Sequence, residues 1–176
     1  MSRLVLINGA PGAGKSTLAQ ALAQDRPMTL ALDIDAIKHS LGCWADDPVS
    51  SGTHARRLAL TLAREHLTTG HDVVMGQYLA RTPFIDDLAS LASAVEAEFR
   101  EFVLDMTEDA LRERLSYRIA GPTRPEHEVN NRLVGPDDAA RLISSLEPLR
   151  LARPQAVWVD GTDSLDSTLD LLRRLL

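Results

Sequence analysis

Short apolar runs alternate along this chain with segments in which apolar residues recur every three or four positions. The runs are typical of strands buried on both faces of a parallel sheet, and they occupy residues 3–7, 28–32, 72–75, 99–104 and 156–159. Helical spacing follows at Ala55, Leu58, Ala59, Leu62 and Ala63, at Ile85, Leu88, Ala89, Ala92 and Val95, and at Leu165, Leu169, Leu172 and Leu176. The pattern predicts an α/β fold: a five-stranded parallel sheet with helices on both faces and ligands at the carboxyl ends of the strands.

The loop between the first strand and the first helix has a sequence that suits phosphate binding. Residues 9–16 read GAPGAGKS and match G-x-x-x-x-G-K-[ST] at every fixed position. Its glycines let the backbone curl until successive N–H groups surround a phosphate oxygen, and the following helix adds positive charge at its N-terminus. A chance glycine turn fits less well, because both flanks have the required pattern. The predicted nucleotide-binding residues here are Gly9, Ala10, Gly12, Ala13, Gly14, Lys15, Ser16 and Thr17.

Lysine is rare in this chain, which draws attention to the lysine of the loop. Only two of the 19 basic residues are lysines, Lys15 and Lys38. An ammonium is a compact point charge on a flexible stem, so it can lie beside a phosphate where a planar guanidinium would collide with the loop. We therefore expect Lys15 to bridge the β- and γ-phosphates of a nucleotide and the Ser16 hydroxyl to ligate Mg²⁺.

Composition limits the class of protein. A chain of 176 residues, 44% of them hydrophobic and 25% charged, predicts one globular domain over residues 1–176. Its net charge of −6 disfavours a broad polyanion-binding surface, so long nucleic acid is not an expected partner. The single cysteine excludes an internal disulfide, and no apolar run approaches the roughly 18 residues that a membrane span needs. We expect a soluble cytoplasmic protein.

Two carboxylates, Asp33 and Asp35, follow the second predicted strand. A hydroxyl group that accepts a phosphoryl group must be oriented and relieved of its proton, and an aspartate beside the γ-phosphate can do both. Asp35 is the candidate catalytic base. Asp33 is either a helix cap or a group near Mg²⁺ on the substrate side. The alternative for the pair is that both only cap a helix beginning near Ala36.

Three arginines, Arg112, Arg114 and Arg118, occur in a helix that Thr107 is expected to cap. At 100° per residue, Arg114 and Arg118 lie beside the apolar stripe of this helix, whereas Arg112 points away from it. We expect the first two to contact the phosphates and the base of a nucleotide, and Arg118 to neutralise charge in the transition state. Alternatively, they pair with acidic residues of the same helix on a solvated surface.

A segment rich in proline and glycine and poor in apolar residues follows that helix, over residues 120–137. Its composition predicts a loop between two helices rather than a part of the core. Together with the end of the helix, about residues 118–137, it is the candidate lid that would exclude water during phosphoryl transfer.

Four segments carry a resemblance to a known family: LVLINGAPGAGKSTLA, LDIDAIKHSLG, HLTTGHDVVMGQYLAR and LRERLSYR. In this order and spacing they resemble the small P-loop phosphotransferases grouped with chloramphenicol phosphotransferase and the zeta toxins, within the AAA-like P-loop kinase group that includes relatives such as shikimate and gluconate kinases. The resemblance covers nearly the whole chain and implies a P-loop kinase fold with a lid, and the use of ATP with Mg²⁺.

The resemblance also implies roles for particular residues. Asp35 matches the catalytic aspartate after strand two, and Lys15 and Ser16 match the phosphate and metal residues. The lid-helix arginines correspond to Arg114 and Arg118. Gly161 and Thr162, after the last predicted strand, look like the loop that touches adenine through its backbone.

One position departs from the family pattern. Relatives often end strand three with an aspartate, whereas this chain has Gly76 there. A carboxylate near Mg²⁺ would then come from Asp33, Asp35 or Asp105, and the glycine is expected to open room in the crevice.

The acceptor side of the crevice is predicted less sharply. Gln77, Tyr78 and Arg81 are expected to line it, with Arg81 at a place where relatives often carry a substrate-contacting arginine. Tyr78 is equally compatible with a core position. Trp44 suits stacking on a ring of the acceptor, or packing under a loop. With Asp33, the predicted substrate residues are Trp44, Gln77 and Arg81.

These features favour an ATP-dependent kinase that phosphorylates a hydroxyl of a small molecule such as an antibiotic, a nucleoside or a sugar. Two alternatives stay open. One is a nucleotide or nucleotide-sugar kinase like the zeta toxins, which would want more basic groups on the acceptor side. The other is a nucleotide-dependent switch without transfer activity, for which the missing strand-three aspartate is the main support.

Overall fold

All five strands of the sheet run parallel, as the apolar runs predict. A computed structural model describes residues 1–121 and 134–176. In the sheet order β2-β3-β1-β4-β5, the strands are β1 (Arg3–Gly9), β2 (Leu30–Leu32), β3 (Val73–Gln77), β4 (Glu98–Asp105) and β5 (Val157–Asp160). Because the first strand lies in the middle, the loop that follows it opens at the centre of the sheet edge, where parallel α/β sheets bind ligands.

Helices cover both faces of the sheet. They are α1 (Lys15–Ala23), α2 (Ile34–His39), α3 (Pro48–Thr68), α4 (Pro83–Ala94), α5 (Glu108–Ala120), α6 (Ala139–Ser144), α7 (Pro148–Ala152) and α8 (Leu165–Leu175), with a short 3₁₀ helix at Pro136–Asp138. One core packs α3, α4 and α7 on the face that carries Leu4 and Leu6, and the other packs α1, α5 and α8 on the face that carries Val5 and Ile7. Side chains of β1 thus alternate between two cores, as in a strand buried on both faces.

The strand boundaries differ from the sequence predictions in two ways: one strand is shorter than predicted, and others extend further. β2 is shorter than the predicted 28–32, because Met28 has a φ of 62° and a side chain that is 68% exposed, so it belongs to a turn. Other strands extend past their apolar runs, because Gln77 pairs with Asn8 in the ladder and Asp105 pairs with Asp160. The polar ends of the strands therefore reach the edge of the sheet where the loops meet.

The caps that the sequence predicts are present. Thr107 and Ser164 each accept a hydrogen bond from a backbone N–H in the first turn of α5 and of α8. Within the described residues, no helix combines the length and the apolar character that crossing a membrane requires. Most of the predicted lid, about 118–137, falls on residues 122–133, which lie outside the described residues.

Helix α1 and strand β3 approach each other unusually closely at Gly76. A Cβ at this position would lie 2.7 Å from the Lys15 carbonyl oxygen and 3.0 Å from the Ser16 backbone nitrogen. These are backbone atoms at the start of α1, so they cannot move aside as a flexible side chain can. The expectation that this glycine opens room in the crevice is therefore wrong, because the backbone of α1 occupies that space.

Arg153, the residue directly after α7, forms a buried ion pair with Glu101 of β4 and a second pair with the more exposed Asp86 of α4. The Arg153 guanidinium donates from Nε to Glu101 at 2.9 Å and from Nη1 to Asp86 at 2.7 Å. Glu101 and Arg153 are only 4% and 7% exposed, and burial raises the pKa of the Glu101 carboxyl, which the nearby Arg153 charge opposes. A carboxylate this deep in the protein depends on its guanidinium partner.

The first prediction concerns this pair. Replacing Arg153 with methionine keeps much of the side-chain volume but leaves Glu101 buried without its cation, so the free energy of unfolding should fall by about 3–5 kcal/mol near neutral pH. The loss should shrink as pH falls, because Glu101 takes up a proton at a higher pH in the folded variant than in the unfolded chain, and protonation removes the buried charge. Urea unfolding at several pH values measures both effects. Arg141→Met, which breaks an exposed pair with Asp138, is the control, and an equal loss there would contradict the account.

The second prediction concerns the helix–strand contact. Gly76→Ala should lower the free energy of unfolding by about 1–3 kcal/mol, because α1 must shift away from β3 to admit a methyl group. Gly52→Ala is the matched control, since nothing among the described atoms lies within 4 Å of the Cβ that it would add to α3. Alanine there should be neutral or stabilising. Urea unfolding compares the two, and a Gly76→Ala protein as stable as wild type would refute the close contact.

Candidate active site

A cavity of about 960 Å³ lies at the carboxyl ends of the strands. It is bounded by the P-loop between β1 and α1, by the start of α2, by the end of β3, by α5, and by the loop between β5 and α8. Of the predicted site residues, the cavity is lined by Gly12, Gly14, Lys15, Ser16, Thr17, Asp33, Asp35, Gln77, Arg114, Arg118 and Thr162. One cavity therefore collects residues from five separate chain segments.

The P-loop has the backbone shape that an anion site needs. Gly12 and Gly14 have φ values of 90° and 91°, in the left-handed region that favours glycine. Gly14 caps α1 without a side chain, and the first helical hydrogen bond is donated by Leu18 to Gly14. The N–H groups of residues 15–17 have no acceptor within the helix, as is usual for a helix N-terminus. The positive end of α1 is therefore directed at the cavity.

Lys15 lies against its own loop. Its Nζ atom donates to the Ala10 carbonyl at 2.8 Å, and the residue is 9% exposed. Burial lowers the pKa of Lys15 to about 8, an effect that the Asp35 carboxylate opposes. The ammonium is thus held in the loop at a place where an incoming anion would favour its charged form.

The two aspartates after β2 have different environments. Asp33 caps α2, and its Oδ1 accepts hydrogen bonds from the N–H groups of Asp35 at 2.9 Å and of Ala36 at 3.2 Å. Asp35 lies in the first turn of α2, and within residues 1–121 and 134–176 no group donates to its carboxylate. Burial raises the pKa of Asp35, and the neighbouring Asp33 raises it further, while His39, Lys38 and Lys15 lower it.

Arg114 contacts main-chain carbonyls rather than carboxylates. Its Nη1 donates to the Ala13 carbonyl at 3.0 Å, and its Nη2 donates to the carbonyls of Thr162 and Asp163. The ion pairing that the sequence offered as an alternative occurs instead at Arg112, which contacts Glu108 and Asp137. This placement agrees with the prediction that Arg112 points away from the apolar stripe of α5.

The rest of α5 supplies one wall of the cavity. Arg118 lines it, donates to the Val134 carbonyl at 3.3 Å, and has a pKa that burial lowers. Glu113 and Tyr117 line it as well, and Tyr117 is 83% exposed. The aromatic side chain of Tyr117, which comes between Arg114 and Arg118 in the sequence, thus lies at the mouth of the cavity.

Several predicted residues lie outside the lining of the cavity. Trp44 packs on the His39 ring, at 4.3 Å between centroids, and its indole lies 5.1 Å from the Lys38 Nζ, which fits the packing alternative. The exposed Arg81 is also absent from the lining, so contact of Trp44 or Arg81 with an acceptor stays a prediction. The remaining predicted residues that do not line the cavity are Gly9, Ala10, Ala13 and Gly161.

Asp105, one of the three carboxylates considered for the metal, is directed elsewhere. Its carboxylate accepts a hydrogen bond from Arg150 at 2.7 Å, and it does not line the cavity. The suggestion that Asp105 supplies a carboxylate near Mg²⁺ therefore has no support from its position, which lies outside the lining that Asp33 and Gln77 share. Among the three candidates, Asp33 and Asp35 remain.

Some residues that shape the site were not predicted from the sequence. Asn8 is fully buried, and its amide bonds both backbone groups of Leu79, which fixes the start of the β3–α4 loop above β1. Leu165 packs against Gly14, where any Cβ would collide with it. Tyr78, for which the sequence left a cavity position and a core position open, lines the cavity and also packs on both cores, with its hydroxyl 2.8 Å from the Ser145 hydroxyl. The only sequence signal for this role of Asn8 was that a polar residue ends the apolar run directly before Gly9 of the P-loop.

The donor atoms around the cavity suit magnesium held together with phosphates. In the described part of the chain, no three His, Cys, Asp or Glu side chains form a group that could hold a metal ion by themselves. Mg²⁺ commonly binds one or two protein oxygens and takes its remaining ligands from phosphates and water. The Ser16 hydroxyl and the Asp33 and Asp35 carboxylates, which line one cavity, fit that donor set.

Solved structures share this fold. A gluconokinase from Sinorhizobium meliloti has a TM-score of 0.63 and 21% identity, with 97% of this chain and 91% of that chain covered. A shikimate kinase from Bacteroides thetaiotaomicron has a TM-score of 0.63 and 20% identity, covering 99% and 97%. A tunicamycin resistance protein from Deinococcus radiodurans has a TM-score of 0.64 and 16% identity, covering 99% and 95%. At these identities the likeness concerns the fold.

Sequence comparison places the chain in a family. No curated protein matches this sequence. The AAA domain family (AAA_33) matches residues 4–133, which is more than half of the chain and includes the P-loop, both aspartates after β2 and α5. The predicted resemblance to small P-loop kinases is confirmed, since gluconokinase and shikimate kinase share the fold. The chain belongs to the AAA domain family of P-loop proteins.

Proposed function

We propose that this protein is an ATP- and Mg²⁺-dependent phosphotransferase that moves the γ-phosphate to a hydroxyl group of a small molecule. The observation that carries the proposal is that the Asp35 carboxylate and the N-terminus of α1, with Lys15, line the same cavity. A P-loop that only binds a nucleotide has no need of a half-buried carboxylate whose pKa is raised and whose charge acts on the P-loop lysine.

The phosphates bind at the start of α1 in this proposal. The N–H groups of residues 15–17 and the helix dipole attract the anion, and Lys15 leaves the Ala10 carbonyl to bridge the β- and γ-phosphates. Arg118 neutralises the charge that develops on the transferred group. Gly9, Ala10, Ala13 and the other P-loop residues act through the backbone shape that they give the loop.

Magnesium fits beside Ser16. The Ser16 hydroxyl would ligate it, and Asp33 or Asp35 would accept hydrogen bonds from its waters. Bound with ATP, Mg²⁺ would neutralise negative charge on the phosphates. Since the backbone of α1 fills the space where a side chain at position 76 would begin, the glycine there has a packing reason, and it does not by itself favour a switch that lacks transfer activity.

Asp35 is the better candidate for the base. One oxygen of Asp33 accepts two helix N–H bonds and so caps α2, whereas no described group donates a hydrogen bond to the Asp35 carboxylate. The acceptor oxygen attacks the γ-phosphorus, the bond from that phosphorus to the bridging oxygen breaks, ADP leaves, and the hydroxyl proton passes to Asp35. Its raised pKa makes this carboxylate a better proton acceptor than an exposed aspartate.

The acceptor is a small molecule in this proposal. In this proposal Gln77 and Tyr78, which line the cavity, face the acceptor, and Thr162, which also lines it, borders the base together with the adjacent Gly161. The printed activities of the structural neighbours, a gluconokinase and a shikimate kinase, support a small hydroxylated acceptor. A nucleotide acceptor would want more basic groups on the acceptor side, and the arginines that could supply them, Arg56, Arg57 and Arg81, do not line the cavity. The proposed partners are therefore ATP, Mg²⁺ and this acceptor, in a cytoplasmic protein.

The proposal is tested with γ-labelled ATP and Mg²⁺ against a panel of nucleosides, sugars, sugar acids and hydroxyl-bearing antibiotics. Labelled product from one acceptor class is the expected result. The panel is then extended to nucleotides and nucleotide sugars. Tight ATP binding without transfer to any of these acceptors would contradict a small-molecule phosphotransferase and favour a nucleotide-dependent switch.

The third prediction separates catalysis from binding at Asp35. Asp35→Asn keeps the shape of the side chain but cannot take the acceptor proton, so kcat should fall by roughly 10²- to 10⁴-fold while the Kd for ATP stays within about threefold. Steady-state kinetics and calorimetry measure the two quantities. Asp87→Asn on the exposed face of α4 is the control and should leave both unchanged. A kcat loss below about fivefold in Asp35→Asn would remove this residue from its proposed role.

The fourth prediction uses the pKa of Lys15. Because its value of about 8 belongs to the free protein and a bound polyphosphate favours the ammonium, ATP binding above pH 8 requires proton uptake. Calorimetry in buffers of different ionisation enthalpy should show almost no uptake near pH 7 and up to about one proton per ATP near pH 9. Lys15→Met should abolish this difference. Equal uptake in the variant would assign the proton to another group.

A further inference from the structure

Arg114 ties two loops of the cavity together through their main chains. Its Nη1 bonds the carbonyl of Ala13 in the P-loop at 3.0 Å, while its Nη2 bonds the carbonyls of Thr162, at 3.4 Å, and of Asp163 in the β5–α8 loop. One planar guanidinium therefore spans the phosphate loop and the loop on the base side of the cavity.

The β5–α8 loop is attached from its other side as well. The Gly161 N–H donates to the Asp105 carbonyl at 2.7 Å, and the Thr107 N–H donates to the Thr162 hydroxyl at 3.3 Å. These bonds fix the start of the loop to the end of β4 and to the N-terminus of α5. Its later part, residues 163–165, lines the cavity and contacts the P-loop through Arg114 and through Leu165, which packs on Gly14.

The charge of Arg114 is directed at carbonyl oxygens. Many arginines of this chain are paired with carboxylates, including Arg112 two positions earlier on α5. Arg114 forms no salt bridge with a carboxylate among the described residues, and burial lowers its pKa. The guanidinium is a planar fork of N–H donors, so its two Nη atoms can reach carbonyls on two different loops at once. The single ammonium of a lysine cannot bridge the two loops in this way. An arginine in a nucleotide site is ordinarily expected to contact the phosphates directly. That role would not explain the three bonds from Arg114 to main-chain carbonyls.

We infer that Arg114 is a positioning residue that holds the β5–α8 loop against the P-loop, so that the wall for the nucleotide base is already formed before the nucleotide binds. The inference rests on the proposed function in one respect: it takes the ligand that contacts this wall to be the base of a purine nucleotide. It gives Arg114 an indirect role: the residue acts on the base through residues 162–165, and the phosphates are bound by α1 and Lys15. Preorganisation of this kind raises affinity by reducing the ordering that binding requires.

The test compares two ligands and two variants. ATP needs both loops, whereas inorganic tripolyphosphate needs only the P-loop. Arg114→Gln removes the charge, and Arg114→Lys keeps the charge but cannot bridge two loops. Arg112→Lys on the same helix is the matched control. Calorimetry gives the Kd of each ligand, and amide hydrogen exchange of the ligand-free proteins reports the opening of residues 162–165.

The expected result is the same in both Arg114 variants. The Kd for ATP rises by roughly tenfold or more, the Kd for tripolyphosphate stays within about twofold, and exchange at residues 162–165 accelerates, while Arg112→Lys matches wild type. Unchanged tripolyphosphate binding also shows that the variants fold.

Three results would overturn the inference. Equal weakening of ATP and tripolyphosphate would show that Arg114 acts on the phosphates. Wild-type ATP affinity in Arg114→Lys would show that its charge suffices. Unaltered exchange at residues 162–165 would show that the loop does not depend on it. The exchange measurement uses ligand-free protein, so it decides the inference even if wild type binds no ATP, a result that would contradict the proposed function instead.

Discussion

The contact between the first turn of α1 and strand β3 fixes the position of everything else in the cavity. The carbonyl of Lys15 lies so near Gly76 that no side chain can begin there. The positive end of α1 is thereby fixed directly against the central strands, beside β2 and its aspartates. Because position 76 carries no side chain, the carboxylates beside this contact are those of Asp33 and Asp35, which follow β2 and line the cavity.

Burial tunes both charges that the proposed chemistry needs. It lowers the pKa of Lys15 and raises that of Asp35, and each group opposes the effect of burial on the other. A cation that releases its proton more readily and a carboxylate that holds one more readily are thus brought into one cavity of an acidic chain. An attacking hydroxyl and a polyphosphate are the kinds of ligand that such a pair can act on.

Local signals account for the parts of the site that the sequence predicted. The P-loop spacing, the cap at Asp33 and the alternation of strands and helices are each encoded within a few residues, and the structure contains all of them. The bonds of Asn8 to Leu79 and of Arg114 to the β5–α8 loop join residues far apart in the chain, so no local pattern reveals them. Gly76 was recognised as a departure from the family, but its reason lies in the position of α1, which only the folded chain shows.

The proposed function requires a nucleotide whose phosphates lie between the start of α1 and Asp35. The most direct measurement is a crystal structure grown with Mg²⁺ and a non-hydrolysable ATP analogue. The account predicts that the Lys15 Nζ exchanges the Ala10 carbonyl for phosphate oxygens at about 3 Å, with the terminal phosphate facing the Asp35 carboxylate. An analogue bound with Lys15 still on Ala10, or with its terminal phosphate directed away from Asp35, would contradict it.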